Sequence, residues 1–213
     1  HVGMDYWSLG ILVEELLVLY QRANAGNALE LPIPTYDYID FLIWQHRMLE
    51  GPQGDRLWSY WRDKLPRDSS VTELPTDRRR GKVQGYTGKT FSVRLEQCLS
   101  SSLKAYARSN GVTQNAVLLA TLCVLLHRHT GERALAVGCV TTGRTQAEHN
   151  RVVGYLANPV VIRPRTEPDL SYGQLIQAVH TELIGALEHQ NFPFPLLVER
   201  LGGRRGPGHN PVF

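Results

Sequence analysis

His1-Val2-Gly3-Met4-Asp5-Tyr6-Trp7-Ser8 runs directly into the apolar stretch Leu9–Tyr20. Leu9, Leu12, Val13, Leu16 and Tyr20 recur at helical spacing, so the pattern predicts a helix over Trp7–Tyr20. Ser8 is the candidate N-cap, and Glu14 and Glu15 mark the wetter side. The segment therefore places a histidine four residues ahead of an aspartate at a helix entrance. Chemistry can use such an arrangement, but spacing alone does not assign it a role.

Outward from this stretch the chain alternates helices with short strands. A second helix is expected over Tyr36–Leu49, interrupted by Gly51–Gly54, and a third carries Leu57, Trp58, Trp61 and Leu65 before Pro66 ends it. Residues 67–89 lose all periodicity and read as a crossover between two lobes, 1–66 and 90–213. Phe91, Val93 and Leu95 alternate with polar residues, as in a half-buried strand over Lys89–Leu95. Then come a helix over Leu99–Ser109 and a core helix after Thr113, with Val117, Leu118, Leu122, Leu125 and Leu126 as its apolar face. A buried strand is expected over Ala134–Val140 and another over Pro159–Ile162. A helix from Ser171 to Gln190 and a short one over Phe194–Leu201 complete an α/β pattern. Gly143 and Gly154 read as turn residues, and Asn158 and Gln190 as side chains that satisfy backbone groups at loop corners.

Composition excludes several classes of function. With 42% hydrophobic and 20% charged residues the chain has a globular balance, and no run of about 18 apolar residues spans a membrane. The net charge of +3 is modest, and Arg78–Arg80 and Arg204-Arg205 lack interleaved aromatics, so no nucleic-acid footprint is read. Cys98, Cys123 and Cys139 form no paired motif, and His127 and His129 lie on different faces of one helix, so no metal site is expected. A reducing, cytoplasmic setting fits. A chain that starts on His, inside what reads as a motif, is expected to be a fragment.

Several ordered motifs resemble the condensation domains of nonribosomal peptide synthetases, which share the chloramphenicol acetyltransferase-like fold. His1-Val2-Gly3-Met4-Asp5 matches the family's His-His-x-x-x-Asp-Gly signature from its second His onward. Trp44-Gln45 and Tyr60-Trp61-x-x-x-Leu65 resemble the helices that follow it. Leu74-Pro75-Thr76-Asp77-Arg78 resembles an interlobe segment, and Gly154-Tyr155-Leu156-Ala157-Asn158 a Gly-x-Phe-Val-Asn stretch. His189-Gln190-Asn191-Phe192-Pro193-Phe194 is similar to the family's His-Gln-Asp-x-Pro-Phe motif, and Asn210-Pro211-Val212-Phe213 to its Asn-Pro-Leu-Phe segment.

The resemblance implies a two-lobed α/β fold, incomplete at both ends here, with the active site at the lobe junction. It implies amide formation between an acyl or peptidyl thioester and an aminoacyl thioester. Both would be presented on the phosphopantetheine arms of an upstream donor and a downstream acceptor carrier protein, within a multidomain synthetase. The domain itself would hold no cofactor and no metal. His1 would be the catalytic residue, taking a proton from the attacking amine or orienting it. Asp5 would pair with Arg144 and lock the active-site loop; Tyr6, Trp7 and Asn210 would lie near the tunnel. Tyr6 departs from the family's glycine, and its ring is expected to pack beside Trp7. An aromatic followed by Trp-Ser resembles condensation domains of mixed polyketide–peptide assembly lines, which implies a fatty-acyl or polyketide donor. Two other readings stay open: a non-catalytic docking or recruitment domain of the same fold, and a stand-alone acyltransferase with a small-molecule acceptor.

Overall fold

The computed structural model describes residues 3–65, 74–77, 88–167, 169–202 and 212. Its elements are α1 (Tyr6–Asn24), α2 (Tyr38–Glu50), α3 (Pro52–Lys64), α4 (Gln97–Ser109), α5 (Gln114–Thr130), β1 (Val137–Thr141), β2 (Asn158–Ile162), α6 (Tyr172–Glu188) and α7 (Phe194–Leu201). A 3-10 turn over Ala147–Arg151 lies between β1 and β2, which pair as a two-stranded sheet. Among the described residues, no single helix is long and apolar enough to cross a membrane.

The chain divides into two compact units. The first combines His1–Trp61, Val140–Pro159 and His189–Phe194; the second combines Arg62–Cys139, Val160–Glu188 and Pro195–Phe213. Residues 66–73 and 78–87, most of the expected crossover, lie outside the described residues.

In the first unit, α1 starts one residue earlier than expected, because Asp5 is its N-cap rather than Ser8. The Asp5 carboxylate accepts from the Ser8 N–H at 2.9 Å. Helix α2 opens on a capping box. Asp37 accepts from the Ile39 and Asp40 N–H groups at 2.7 and 3.0 Å, and Asp40 accepts from the Asp37 N–H at 3.0 Å. The expected break at Gly51–Gly54 shrinks to Gly51 alone. Pro52 starts α3 at the position where its missing N–H costs nothing. Gly54 sits inside that helix, because a Cβ there would come within 2.2 Å of the Leu49 carbonyl oxygen. Phe41, Val152 and Leu156 form a buried core with Tyr36, Tyr38 and Trp44 against it. A second buried group is Leu57 and Trp61 on α3.

The second unit rests on α5 against α6 and α4. Thr113 caps α5 by accepting from the Ala116 N–H at 3.1 Å. The buried face of α5 is Ala116, Val117, Leu119, Ala120 and Cys123. Of the leucines expected inside, Leu118, Leu122 and Leu125 are exposed. Small side chains let two helices approach closely, and α6 meets them with Leu175, Ile176, Val179 and Leu183. Ser171 and Gln174 cap α6 reciprocally, Ser171 N–H donating to Gln174 at 2.8 Å and Gln174 N–H to Ser171 at 3.3 Å.

Residues 88–95 form no strand. No described residue pairs with their backbone, and Phe91 is 91% exposed. Alternation supplies a strand with two faces, but a neighbour must supply the hydrogen bonds. The strand expected over Ala134–Val140 is likewise shorter and wetter than expected. Ala134 makes only an isolated bridge to Arg165, and Val140 is exposed.

Candidate functional site

The first unit builds one dense polar knot around Asp5. One carboxylate oxygen, Oδ1, accepts from Ser8 N at 2.9 Å, lies 2.8 Å from the Ser8 hydroxyl and accepts from Arg144 Nη2 at 3.2 Å. The other, Oδ2, accepts from Arg144 Nη1 at 2.7 Å and from the Leu156 and Ala157 N–H groups at 3.0 and 3.1 Å. The Asp5 N–H donates to the Gly154 carbonyl at 3.1 Å. Every lone pair of the carboxylate is thus engaged, and its side chain and that of Arg144 are 4% and 1% exposed.

Arg144 spreads its fork wider than a simple pair. Nη1 also donates to the Thr142 carbonyl at 3.1 Å, and Nη2 to Ser8 Oγ and the Val152 carbonyl, each at 3.0 Å. The guanidinium carbon lies 5.8 Å from the Trp7 ring centre, within cation–π range. Burial alone would raise the Asp5 pKa. The hydrogen bonds from Arg144, Ser8 and Leu156 outweigh it and lower the pKa to about 2, so the group is ionised at neutral pH.

Two glycines make this closeness possible. Gly143 has a φ of +67°, and a Cβ there would fall 1.8 Å from the Leu156 carbonyl oxygen. A Cβ on Gly154 would strike the Tyr38 ring at 2.3 Å.

Beside the knot lies a residue that sequence reasoning missed. His149 is fully buried, and among the described residues neither ring nitrogen has a hydrogen-bond partner. Its ring is enclosed by aromatic side chains, with centroids at 4.7 Å from Trp44, 5.1 Å from Phe41 and 5.7 Å from Tyr36. Burial lowers its pKa. Glu148 opposes that shift, and the Arg144 charge adds to it. The imidazole is therefore a neutral packing element. Only its neighbourhood reveals it, since His149 has no motif around it.

The structure brings Asp5 and Arg144 together and sets Trp7 over them. Trp7 donates through Nε1 to the Asn150 carbonyl at 3.1 Å. Tyr6 does not pack beside Trp7. It occupies the first turn of α1 with ordinary φ, and its side chain points into solvent, 84% exposed. It forms one lip of an open cleft of about 520 Å³ that also takes in Trp7, Gly10, Ile11 and Arg151. His1 and Asn210 lie outside the described residues.

The loop at 189–194 is held from two sides within the same unit. Asn158 donates to the Gln190 and Phe192 carbonyls, both at 2.8 Å, and accepts from the Phe194 N–H at 2.9 Å. From α3, Trp61 donates to the His189 carbonyl at 3.0 Å, and Tyr60 stacks on the His189 ring at 3.7 Å. Cys123 is buried, and its pKa is pushed up to about 11, chiefly by that burial, so the thiol is inert. Among the described residues, no three His, Cys, Asp or Glu side chains converge as metal ligands would.

The sequence model of the condensation-domain family matches residues 1–213. This chain belongs to the condensation-domain family. The domain is 35% identical over 216 residues to a linear gramicidin synthase of Brevibacillus parabrevis, a match that covers 100% of this chain and 4% of that protein. The X-domain from teicoplanin biosynthesis superposes with a TM-score of 0.88 at 23% identity, covering 99% of this chain and 48% of its own. The first condensation domain of the CDA synthetase gives 0.72 at 23% identity, covering 95% of this chain and 44% of its own. The domain therefore has the α/β, chloramphenicol acetyltransferase-like fold of condensation domains. It spans about half the length of these structural neighbours and a small fraction of the synthase.

Proposed function

We propose that the domain forms amide bonds between carrier-bound thioesters in nonribosomal peptide or hybrid polyketide–peptide synthesis. The amine of an aminoacyl thioester attacks the carbonyl of an acyl or peptidyl thioester. The carbonyl carbon–sulfur bond breaks, the donor thiol leaves with a proton, and the amine loses one. Both substrates arrive on phosphopantetheine arms, one on an upstream donor and one on a downstream acceptor carrier protein. His1 receives the amine proton or orients the amine. Asp5 is a positioning residue that acts through the fixed loop behind His1, and Tyr6, Trp7 and Asn210 contribute to the substrate passage.

One observation supports this reading above the others. The aspartate of the family signature falls on Asp5, whose carboxylate and Arg144 partner are locked by buried hydrogen bonds. Such a knot suits a loop that must hold a reactive group in one place.

The test mixes the protein that carries this chain with donor-loaded and acceptor-loaded carrier proteins and weighs the acceptor by intact-protein mass spectrometry. Transfer is expected with the native sequence and to fall by about 10²–10⁴ in His1→Ala if the histidine moves the proton. Equal transfer by both forms would assign His1 no chemical role. Tyr6, where the family signature has glycine, favours one second reading, a docking or recruitment module. Absence of transfer by either form, across several acyl donors, would select it.

A further inference from the structure

The second unit contains a cleft of about 650 Å³ between the C-terminal end of α3, the Arg163–Arg165 segment and α6. Its charged lining is Asp63, Lys64, Arg163, Arg165, Glu167 and Glu182. Three of these charges already have an ionic partner. Lys64 pairs with Oε1 of Glu182, and Asp63 with its exposed neighbour Arg62 at 3.0 Å.

The remainder is unusual. Arg163 and Arg165 lie two residues apart just past the end of β2, and both line the cleft. Arg165 forms an isolated bridge with Ala134, and the Thr166 N–H donates to the Arg133 carbonyl at 2.8 Å. Both guanidinium groups are therefore carried on a fixed segment. Among the described residues, Arg163 Nε is buried without an acceptor and Glu182 Oε2 is buried without a donor. Two side chains of this lining thus carry a buried, unmet donor and a buried, unmet acceptor. Each such atom costs stability unless a partner arrives.

We propose that this cleft binds hydrogen phosphate, free or as a phosphate monoester. Arg163 and Arg165 donate to the phosphoryl oxygens. Glu182 Oε2 accepts from the P–OH group, which satisfies both unmet atoms with one ligand. A fully ionised oxyanion such as sulfate satisfies the arginines but sets its oxygens against the Glu182 carboxylate. The site therefore discriminates by the ligand's proton, not by its charge alone. Phosphate binding here is independent of amide formation, because none of these residues belongs to the knot around Asp5.

Isothermal titration of the protein that carries this chain tests it, at pH 6.5, with inorganic phosphate, sulfate, glycerol phosphate and dimethyl phosphate as ligands. Phosphate is expected to bind at least about tenfold more tightly than sulfate, since sulfate leaves a buried acceptor unmet. Binding of glycerol phosphate as well as phosphate would identify a monoester site, and phosphate alone a site for the free ion; dimethyl phosphate, with no P–OH, is expected to be as weak as sulfate. Glu182→Gln is expected to erase or invert the preference, because an amide donates to sulfate. Arg163→Gln and the exposed-site variant Arg165→Gln are each expected to weaken phosphate by about tenfold. Equal affinity for phosphate and sulfate, absence of saturable binding, or phosphate affinity unchanged in both arginine variants would overturn the proposal.

Discussion

The same two parts of the first unit are joined twice by arginine and carboxylate, with opposite surroundings. At the start of α1, Asp5 meets Arg144 with side chains 4% and 1% exposed. Two to three turns further along, Glu14 and Glu15 meet Arg151, at 2.5 and 2.9 Å, and the arginine is 51% exposed. The distances are alike, yet the consequences differ. Around Asp5, water has been replaced by fixed N–H donors, and removing either partner strands a charge in a dry site. Around Arg151, water stands ready to take the place of whichever partner leaves. A contact distance therefore says little about what an ion pair does. The hydrogen bonds that survive its loss say more.

Substitution should separate the two joints sharply. Asp5→Ala is expected to cost about 3–5 kcal/mol, the penalty for an uncompensated buried charge. Hydrogen exchange at the Leu156 and Ala157 amides, both donors to Asp5, should then accelerate by at least about 100-fold. A stable Asp5→Ala protein with native amide protection, merely slow in transfer, would break the contrast. Arg144→Lys keeps the charge but loses the fork, and should fall between native and Asp5→Ala.

Acid should act in two stages. His149 is neutral in the fold, with its pKa held below its ordinary value of 6.5. Its contribution is complete above that value and is lost as the pH falls below it, when the unfolded chain gains a proton that the folded chain refuses. Asp5 has an ordinary value of 3.8, lowered to about 2 in the fold. Its contribution, about 2 kcal/mol, is complete above 3.8 and is lost as the pH falls towards 2. His149→Phe fits the aromatic enclosure and should abolish the upper stage while leaving the lower one, as read by unfolding midpoints from pH 7 to pH 2. A variant that keeps the upper stage would assign it to another group.

Arg151→Gln should have the smallest effect, below about 1 kcal/mol and diminishing with added salt. A loss comparable to that of Arg144→Lys would mean that the exposed joint also bears on the fold.

Local signals carried most of the helices from the sequence alone. Thr113 and Ser171 act as caps where expected, and α7 spans the expected residues. The errors arise where a second segment decides. In α5 the leucine series and the small-residue series have the same period, and only the approach of α6 selects Ala116, Ala120 and Cys123. Residues 89–95 alternate as a strand would, yet a strand is a property of two segments, and no described one pairs with them. Asp5 and Arg144 are 139 positions apart, so family resemblance rather than periodicity suggested that pair. The aromatic enclosure of His149 had no such guide. It draws residues from α2 and from the 3-10 turn, neither of which announces the other.

Asn158 has a further consequence for the lifetime of the molecule. Its amide holds the Gln190 and Phe192 carbonyls, and conversion to aspartate would set an oxygen against both. Asparagine ages to aspartate chiefly through a ring closed by the N–H of the next residue. The next residue here is Pro159, which has no N–H to offer. The amide that holds this loop is followed by a residue that cannot close that ring.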